Sequence, residues 1–80
     1  MRPRLKHPEV PRLLARNVWR LRELHRMTAS ALAEKLDWPL SEIDKIENGD
    51  KADLSLDDLE RLGLALMAEP ADLLRRNLAH

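Results

Sequence analysis

The chain has no cysteine, no phenylalanine and no tyrosine, and it contains no long uninterrupted apolar run. Without cysteine it has neither a disulfide framework nor a thiolate metal site, as is usual in the reducing cytoplasm. A membrane-spanning helix needs about 18 or more consecutive apolar residues, and a secretory signal peptide needs an apolar segment behind a basic start. Neither pattern is present, so we expect a cytoplasmic protein with no membrane partner.

Leucine and alanine are abundant instead, with 17 and nine of the 80 residues. Both are strong helix formers, whereas the aromatic residues that favour strands are almost missing. A chain of this length has room for one domain. The composition therefore predicts a single all-α domain.

Charge is balanced over the whole chain but unevenly distributed along it. Fourteen basic residues match 14 acidic ones, yet residues 1–26 hold eight basic against two acidic, and residues 27–80 hold six against twelve. Such asymmetry is consistent with nucleic-acid contact by the basic part. The alternative is an ordinary surface whose charges happen to cluster.

The most informative segment runs from residue 27 to residue 49, where the pattern predicts two short helices over about 29–36 and 40–48. Leu32 and Leu36 form an apolar stripe on the first helix, and Ile43 and Ile46 form one on the second. A tryptophan, Trp38, fills the turn between them. Thr28 is a candidate N-cap for the first helix and Gly49 a C′ residue for the second.

The flanking segments predict three further helices. Prolines at positions 3 and 8 predict an extended basic arm over 1–10, and Pro11 begins a helix that runs to about Arg26. A polar loop over 49–54 leads to a helix capped by Ser55 and Asp58. Its expected inner face consists of Leu56, Leu59, Leu62 and Leu66. Pro70 begins a last helix to about Leu78.

These patterns together resemble the XRE family, the lambda-repressor and Cro-like helix-turn-helix domains. The residues that carry the resemblance are Val18, Leu21 and Arg22, then Leu32-Ala33 and Ile43-x-x-Ile46-Glu47-x-Gly49, then Leu59, Leu62, Ala65, Leu66, Leu73 and Leu74. The resemblance implies a compact all-α, five-helix, lambda-repressor-like bundle over residues 11–80. It also implies that Arg22 and Glu47 form a structural ion pair, rather than contacting DNA.

By the same resemblance the protein would be a repressor-like transcriptional regulator that binds double-stranded DNA as a homodimer. Its third helix would lie in the major groove of an operator. The expected DNA-binding residues are Thr28, Ser30, Leu40, Ser41, Glu42, Lys45, Asn48 and Lys51, with Arg2, Arg4 and Lys6 of the arm. Within the helix-turn-helix, Ala29 replaces a usual Gln and Pro39 replaces a capping Ser or Thr.

Catalytic and metal-binding patterns are missing from the sequence. The three histidines lack ligand spacing, and there is no nucleophile motif or glycine-rich phosphate loop. We expect neither enzyme activity nor a cofactor or metal.

The third helix leaves an alternative open, because its outer face carries Glu42 and Asp44. Acidic side chains are repelled by phosphates, although a glutamate can accept a hydrogen bond from cytosine N4. The alternative is a protein-interaction module that keeps the helix-turn-helix scaffold and uses this acidic face to bind a protein partner.

Overall fold

The computed structural model describes residues 9–51 and 53–76, and five helical elements lie in this part of the chain. Their bounds are α1 Val10–Leu24, α2 Ala29–Leu36, α3 Leu40–Glu47, α4 Leu56–Leu66 and a 3-10 helix, η1, Pro70–Leu74. The predicted all-helical class is confirmed. The predicted count of five α-helices is wrong, because the last element is a 3-10 helix of five residues.

The helix-turn-helix bounds follow the sequence closely. Helix α2 has the predicted limits, and the backbone N–H of Ala31 donates to Thr28 Oγ1 over 3.0 Å, so Thr28 is its N-cap. Helix α3 ends one residue earlier than predicted, with Asn48 as its C-cap. Gly49 follows at φ +78°, in the left-handed region that glycine adopts without strain.

Helix α1 begins at Val10, inside the span assigned to the arm, and has Pro11 in its first turn. It ends at Leu24, two residues before the predicted end. Arg26 then adopts a left-handed conformation at φ +53°, and the N–H of Met27 donates to the carbonyl of Arg22 over 2.9 Å. This hydrogen bond satisfies one of the last carbonyls of α1 and ends the helix.

At the start of α4 the core differs from the prediction. Ser55 and Asp58 form the predicted capping box, with hydrogen bonds of 3.1 and 3.3 Å. Leu56 was expected inside but is half exposed, whereas Leu54, expected in a polar loop, is buried. Leu54 and Leu59 occupy the N′ and N4 positions, where apolar side chains pack across a capped helix start.

One core joins all five elements. Its fully buried large side chains are Leu14, Val18, Leu32, Ile43, Ile46, Leu54, Leu59, Leu62, Leu66 and Leu73. Helix α1 packs against α3, α4 and η1, and α2 packs against α3 and α4. The core therefore fixes the two helices of the helix-turn-helix relative to each other and to α1.

A buried asparagine explains where η1 ends. Asn17 on α1 is 1% exposed, and its Nδ2 donates to the carbonyls of Leu73 and Arg75, both over 2.8 Å. In a continuing α-helix the carbonyl of Leu73 would accept from a backbone N–H four residues on. Here the side-chain amide of Asn17 donates to that carbonyl instead, and the backbone at Arg75 is extended, with ψ 141°.

Candidate nucleic-acid interface

Helix α3 has one face in the core and one face in solvent. Ile43 and Ile46 are fully buried, whereas Ser41, Asp44, Lys45 and Asn48 are exposed. This division follows from the helical period, because residues three and four apart share a face. The outer face therefore presents a hydroxyl, a carboxylate, an ammonium and an amide.

The first turn of α3 is shaped by Pro39. Pro39 occupies the N-cap position with φ −65° and ψ 148°, and its side chain makes no capping hydrogen bond. Leu40 follows and is 43% exposed. The helix start thus presents an apolar side chain, and no side chain caps its N–H groups.

The start of α2 lies on the same helix-turn-helix unit. Thr28 and Ser30 are exposed, and Thr28 Oγ1 is engaged with the N–H of Ala31. Ala29, where the family commonly has Gln, is half-buried and packs against the core. Two small hydroxyl side chains are therefore exposed at this helix start.

Glu42 and Lys51, both predicted to contact DNA, contact each other. Lys51 Nζ lies 2.8 Å from Glu42 Oε2, and Lys45 Nζ lies 4.0 Å from Glu42 Oε1. The hydrogen bond from Lys51 lowers the pKa of Glu42. The pair ties the chain after Gly49 back to α3 and offsets one negative charge on that helix.

Arg22 and Glu47, predicted to be an ion pair, are brought together with two hydrogen bonds. Arg22 Nε donates to Glu47 Oε2 over 2.7 Å, and Nη2 donates to Oε1 over 2.9 Å. The third nitrogen, Nη1, donates to the carbonyl of Met27 over 2.9 Å. The contact with Glu47 raises the pKa of Arg22. The guanidinium thereby links α1, the start of α2 and the end of α3.

A cationic face on α1 adjoins the end of α3. Arg12, Arg16 and Trp19 line an open groove together with Asn48 and Gly49. Arg12, Arg16 and Arg20 are spaced four residues apart, and no ion pair holds them in the described part of the chain. Their i, i+4 spacing was readable from the sequence, but their proximity to α3 was not. The arm residues Arg2, Arg4 and Lys6 lie outside the described residues.

Comparison with known families identifies this arrangement. A family model described as the Cro/C1-type HTH DNA-binding domain matches residues 17–78. The chain belongs to this family. The match begins within α1 and spans the helix-turn-helix, α4 and η1, so the predicted resemblance to the XRE family is confirmed. Comparison with curated proteins and with solved structures gives no significant match.

As a Cro/C1-type domain, the chain has a DNA-binding fold whose helix-turn-helix consists of α2 and α3. None of the helices in residues 9–51 and 53–76 is both long enough and apolar enough to cross a membrane.

Proposed function

We propose that the protein is a sequence-specific, repressor-like transcriptional regulator that binds a pseudo-palindromic operator as a homodimer. The observation that carries this proposal is the exposed outer face of α3, which the core and the Arg22–Glu47 pair hold in a fixed orientation. In the helix-turn-helix mode of binding, that helix enters the major groove. Membership of a DNA-binding family supports the same conclusion.

The exposed side chains divide into two roles. Ser41, Lys45 and Asn48 carry the groups that match base edges in the major groove, and exposed Leu40 can touch a thymine methyl. Thr28 and Ser30 at the start of α2 suit phosphate contacts, which fix the orientation of the protein on the duplex.

Glu42 and Lys51 act as a pair in this proposal. Lys51 neutralises Glu42 in the free protein. Each side chain can bind the nucleic acid only after the 2.8 Å contact between them has broken. Lys51 would turn to a phosphate, and Glu42 would accept from the amino group of a cytosine.

Positive charge flanks this face and offsets the acidic residues of α3. The arginines of the α1 face and Arg2, Arg4 and Lys6 of the arm are proposed to contact phosphates beside the reading helix, the arm also reaching the minor groove. This distribution accounts for DNA binding by a chain with no net charge, since the excess in residues 1–26 is six positive charges.

The test is a fluorescence anisotropy titration with random duplex DNA and with duplexes selected from a random pool, at several salt concentrations. We expect binding that weakens steeply with salt, with a preference for the selected duplexes. Lys45→Met should weaken binding to the selected duplexes more than it weakens binding to random duplexes, because the lysine is assigned to a base edge. Arg75→Met is the matched control, because both side chains are largely exposed, at 55% and 62%, and Arg75 lies far along the chain on the segment after η1.

Absence of binding to any duplex at low salt would overturn the proposal. It would favour the protein-interaction module, for which the specific observation is the exposed carboxylate of Asp44 on α3. That function predicts that Asp44→Asn weakens a protein partner and leaves DNA unaffected.

A further inference from the structure

An open groove between α1 and the end of α3 adjoins the exposed face of α3. Its lining residues include Arg12, Arg16 and Trp19 of α1, and Glu47, Asn48 and Gly49 at the end of α3. Trp19 is 50% exposed, so the groove holds an aromatic surface beside two guanidinium groups. A cationic groove with an aromatic side chain suits the backbone of a nucleic acid.

The groove carries positive charge although a glutamate lines it. Both carboxylate oxygens of Glu47 accept hydrogen bonds from Arg22, over 2.7 and 2.9 Å. Arg12 and Arg16 are exposed, and neither forms an ion pair in the described part of the chain. Because Glu47 is neutralised and these two arginines are not, the groove attracts a polyanion.

The two walls of the groove are fixed relative to each other. The Arg22–Glu47 pair joins α1 to the end of α3. A Cβ added at Gly49 would lie 4.0 Å from the carbonyl oxygen of Pro11, so the chain after α3 passes close to the first turn of α1. Trp19 presents a rigid ring, whereas the long side chain of an arginine can follow a moving phosphate. Trp19 is therefore the lining side chain that gives the groove a definite shape.

We propose that this groove holds the backbone of one DNA strand beside the bases that α3 contacts, and that Trp19 makes the protein sensitive to base pairs beyond the reach of α3. The inference rests on the proposed function, in which α3 lies in the major groove and Asn48 meets a base edge. Asn48 belongs to both surfaces, so a strand that passes it continues into the groove. The ring of Trp19 packs there against a deoxyribose and admits one path of the backbone.

A fixed backbone path becomes a sequence preference through the stiffness of DNA. Base-pair steps differ in groove width and in the energy needed to bend or twist them, so a duplex that already follows the path binds at lower cost. Selectivity then arises at positions that no side chain contacts. The arginines attract every sequence alike, whereas Trp19 favours some sequences over others. The two kinds of side chain therefore have separable effects on binding.

The experiment selects duplexes from a pool that is random within the site and in the base pairs on either side of it, and measures affinities of the full chain by fluorescence anisotropy. Trp19→Leu, and Trp19→Met as a second variant without a ring, should lose the preference at the flanking positions and keep it at the central ones. Affinity for the selected duplex should fall about tenfold, the order of one mismatched base pair, with the salt slope unchanged.

Two further proteins control for loss of the ring. Trp19→Phe keeps an aromatic side chain and should recover most of the flanking preference. Leu24→Ala should behave like the natural protein, since Leu24 is 72% exposed on the same helix and does not line this groove. Thermal melts of all variants check that each one is folded.

The arginines are tested through the salt dependence. Arg12→Gln and Arg16→Gln should each weaken binding to all duplexes alike and lower the salt slope by about one, as loss of a phosphate contact does. Arg61→Gln is the control, because its side chain is 55% exposed on α4. Neutral methylphosphonate linkages, placed one at a time beside the site, should weaken the natural protein at the phosphates that the groove holds. Arg16→Gln should be less sensitive at the same phosphates.

The outcomes separate this inference from the proposed function. DNA binding in which the ring-less variants keep the flanking preference, or change it no more than Leu24→Ala does, overturns the inference and leaves the regulator function standing. A ring-less variant that loses affinity equally for all duplexes overturns it as well. Absence of binding to any duplex overturns both.

Discussion

Arg22 and Glu47 form a two-bond ion pair in which both side chains are largely buried, at 12% and 16% exposure. Because Arg22 also donates to the carbonyl of Met27, one guanidinium connects three segments of the helix-turn-helix region. With its side chain 12% exposed, little of the guanidinium faces solvent. The pair therefore fixes the positions of α2 and α3 relative to α1.

Glu47→Ala should destabilise the protein by about 3 kcal/mol, the lower end for breaking a buried pair, because it leaves the guanidinium uncompensated. Arg22→Met should also destabilise it, and the double variant should lose less than the sum of the two. Urea unfolding of the four proteins measures this cycle. Strictly additive losses would show that the two side chains do not interact.

Asn17→Ala should destabilise the protein by about 2 kcal/mol, since two carbonyls lose their donor and a small cavity remains. Asn17→Asp is the informative companion, because it keeps the volume but lacks the amide N–H groups. Amide exchange along residues 70–75 should accelerate in both variants. Unchanged exchange in Asn17→Asp would mean that these hydrogen bonds do not hold η1.

Gly63→Ala should destabilise the protein by about 1–3 kcal/mol, the usual cost of overpacking. A Cβ built on Gly63 lies 2.6 Å from the carbonyl oxygen of Ala68, and this atom belongs to the backbone and cannot rotate away. The clash opposes the gain in helix propensity that alanine normally brings. Glu60→Ala, at an exposed position of the same helix, serves as the control in thermal melts. A more stable Gly63→Ala protein would show that the turn after α4 moves freely.

The Glu42–Lys51 pair predicts a pH dependence of stability. The pKa of Glu42 is lowered in the folded protein, so its contribution is complete above the unfolded value, about 4.3, and is lost as the pH falls through the folded value. The free energy of unfolding of Lys51→Met should therefore be lower than that of the natural protein at neutral pH, and the difference should shrink below pH 4 or so. Lys35→Met, which removes an exposed lysine that has no ion pair within the described residues, should show no such trend. A constant difference across the acid range would contradict the prediction.

Asp44→Asn and Glu42→Gln should differ in their effects on DNA binding. Removing the exposed charge of Asp44 should raise affinity for every duplex about equally. Glu42→Gln should instead change the preference at one position of the site, by roughly 1–3 kcal/mol if the contact with a base is good. Titration of both variants against a selected and a random duplex measures the two effects. Equal shifts for both variants on both duplexes would remove Glu42 from base recognition.

The sequence by itself determined the parts of this protein that depend on neighbouring residues. Leu32 and Leu36, and then Ile43 and Ile46, repeat at helical spacing, and Thr28 and Ser55 are followed three residues later by the N–H groups they cap. Periodicity and capping act over a few residues, so the limits of α2 and the start of α4 could be predicted. The resemblance to the family also predicted the ion pair between Arg22 and Glu47, which are 25 residues apart.

The tertiary structure decided what depends on distant residues. In the sequence, Asn17 looks like any polar residue of an amphipathic helix. In the fold, its amide nitrogen lies 2.8 Å from the carbonyls of Leu73 and Arg75, which are 56 and 58 positions along the chain. Lys51 is a free cation in the sequence and a neutralised one beside Glu42 in the fold. Long-range contacts follow from packing of the whole core, which no local pattern specifies.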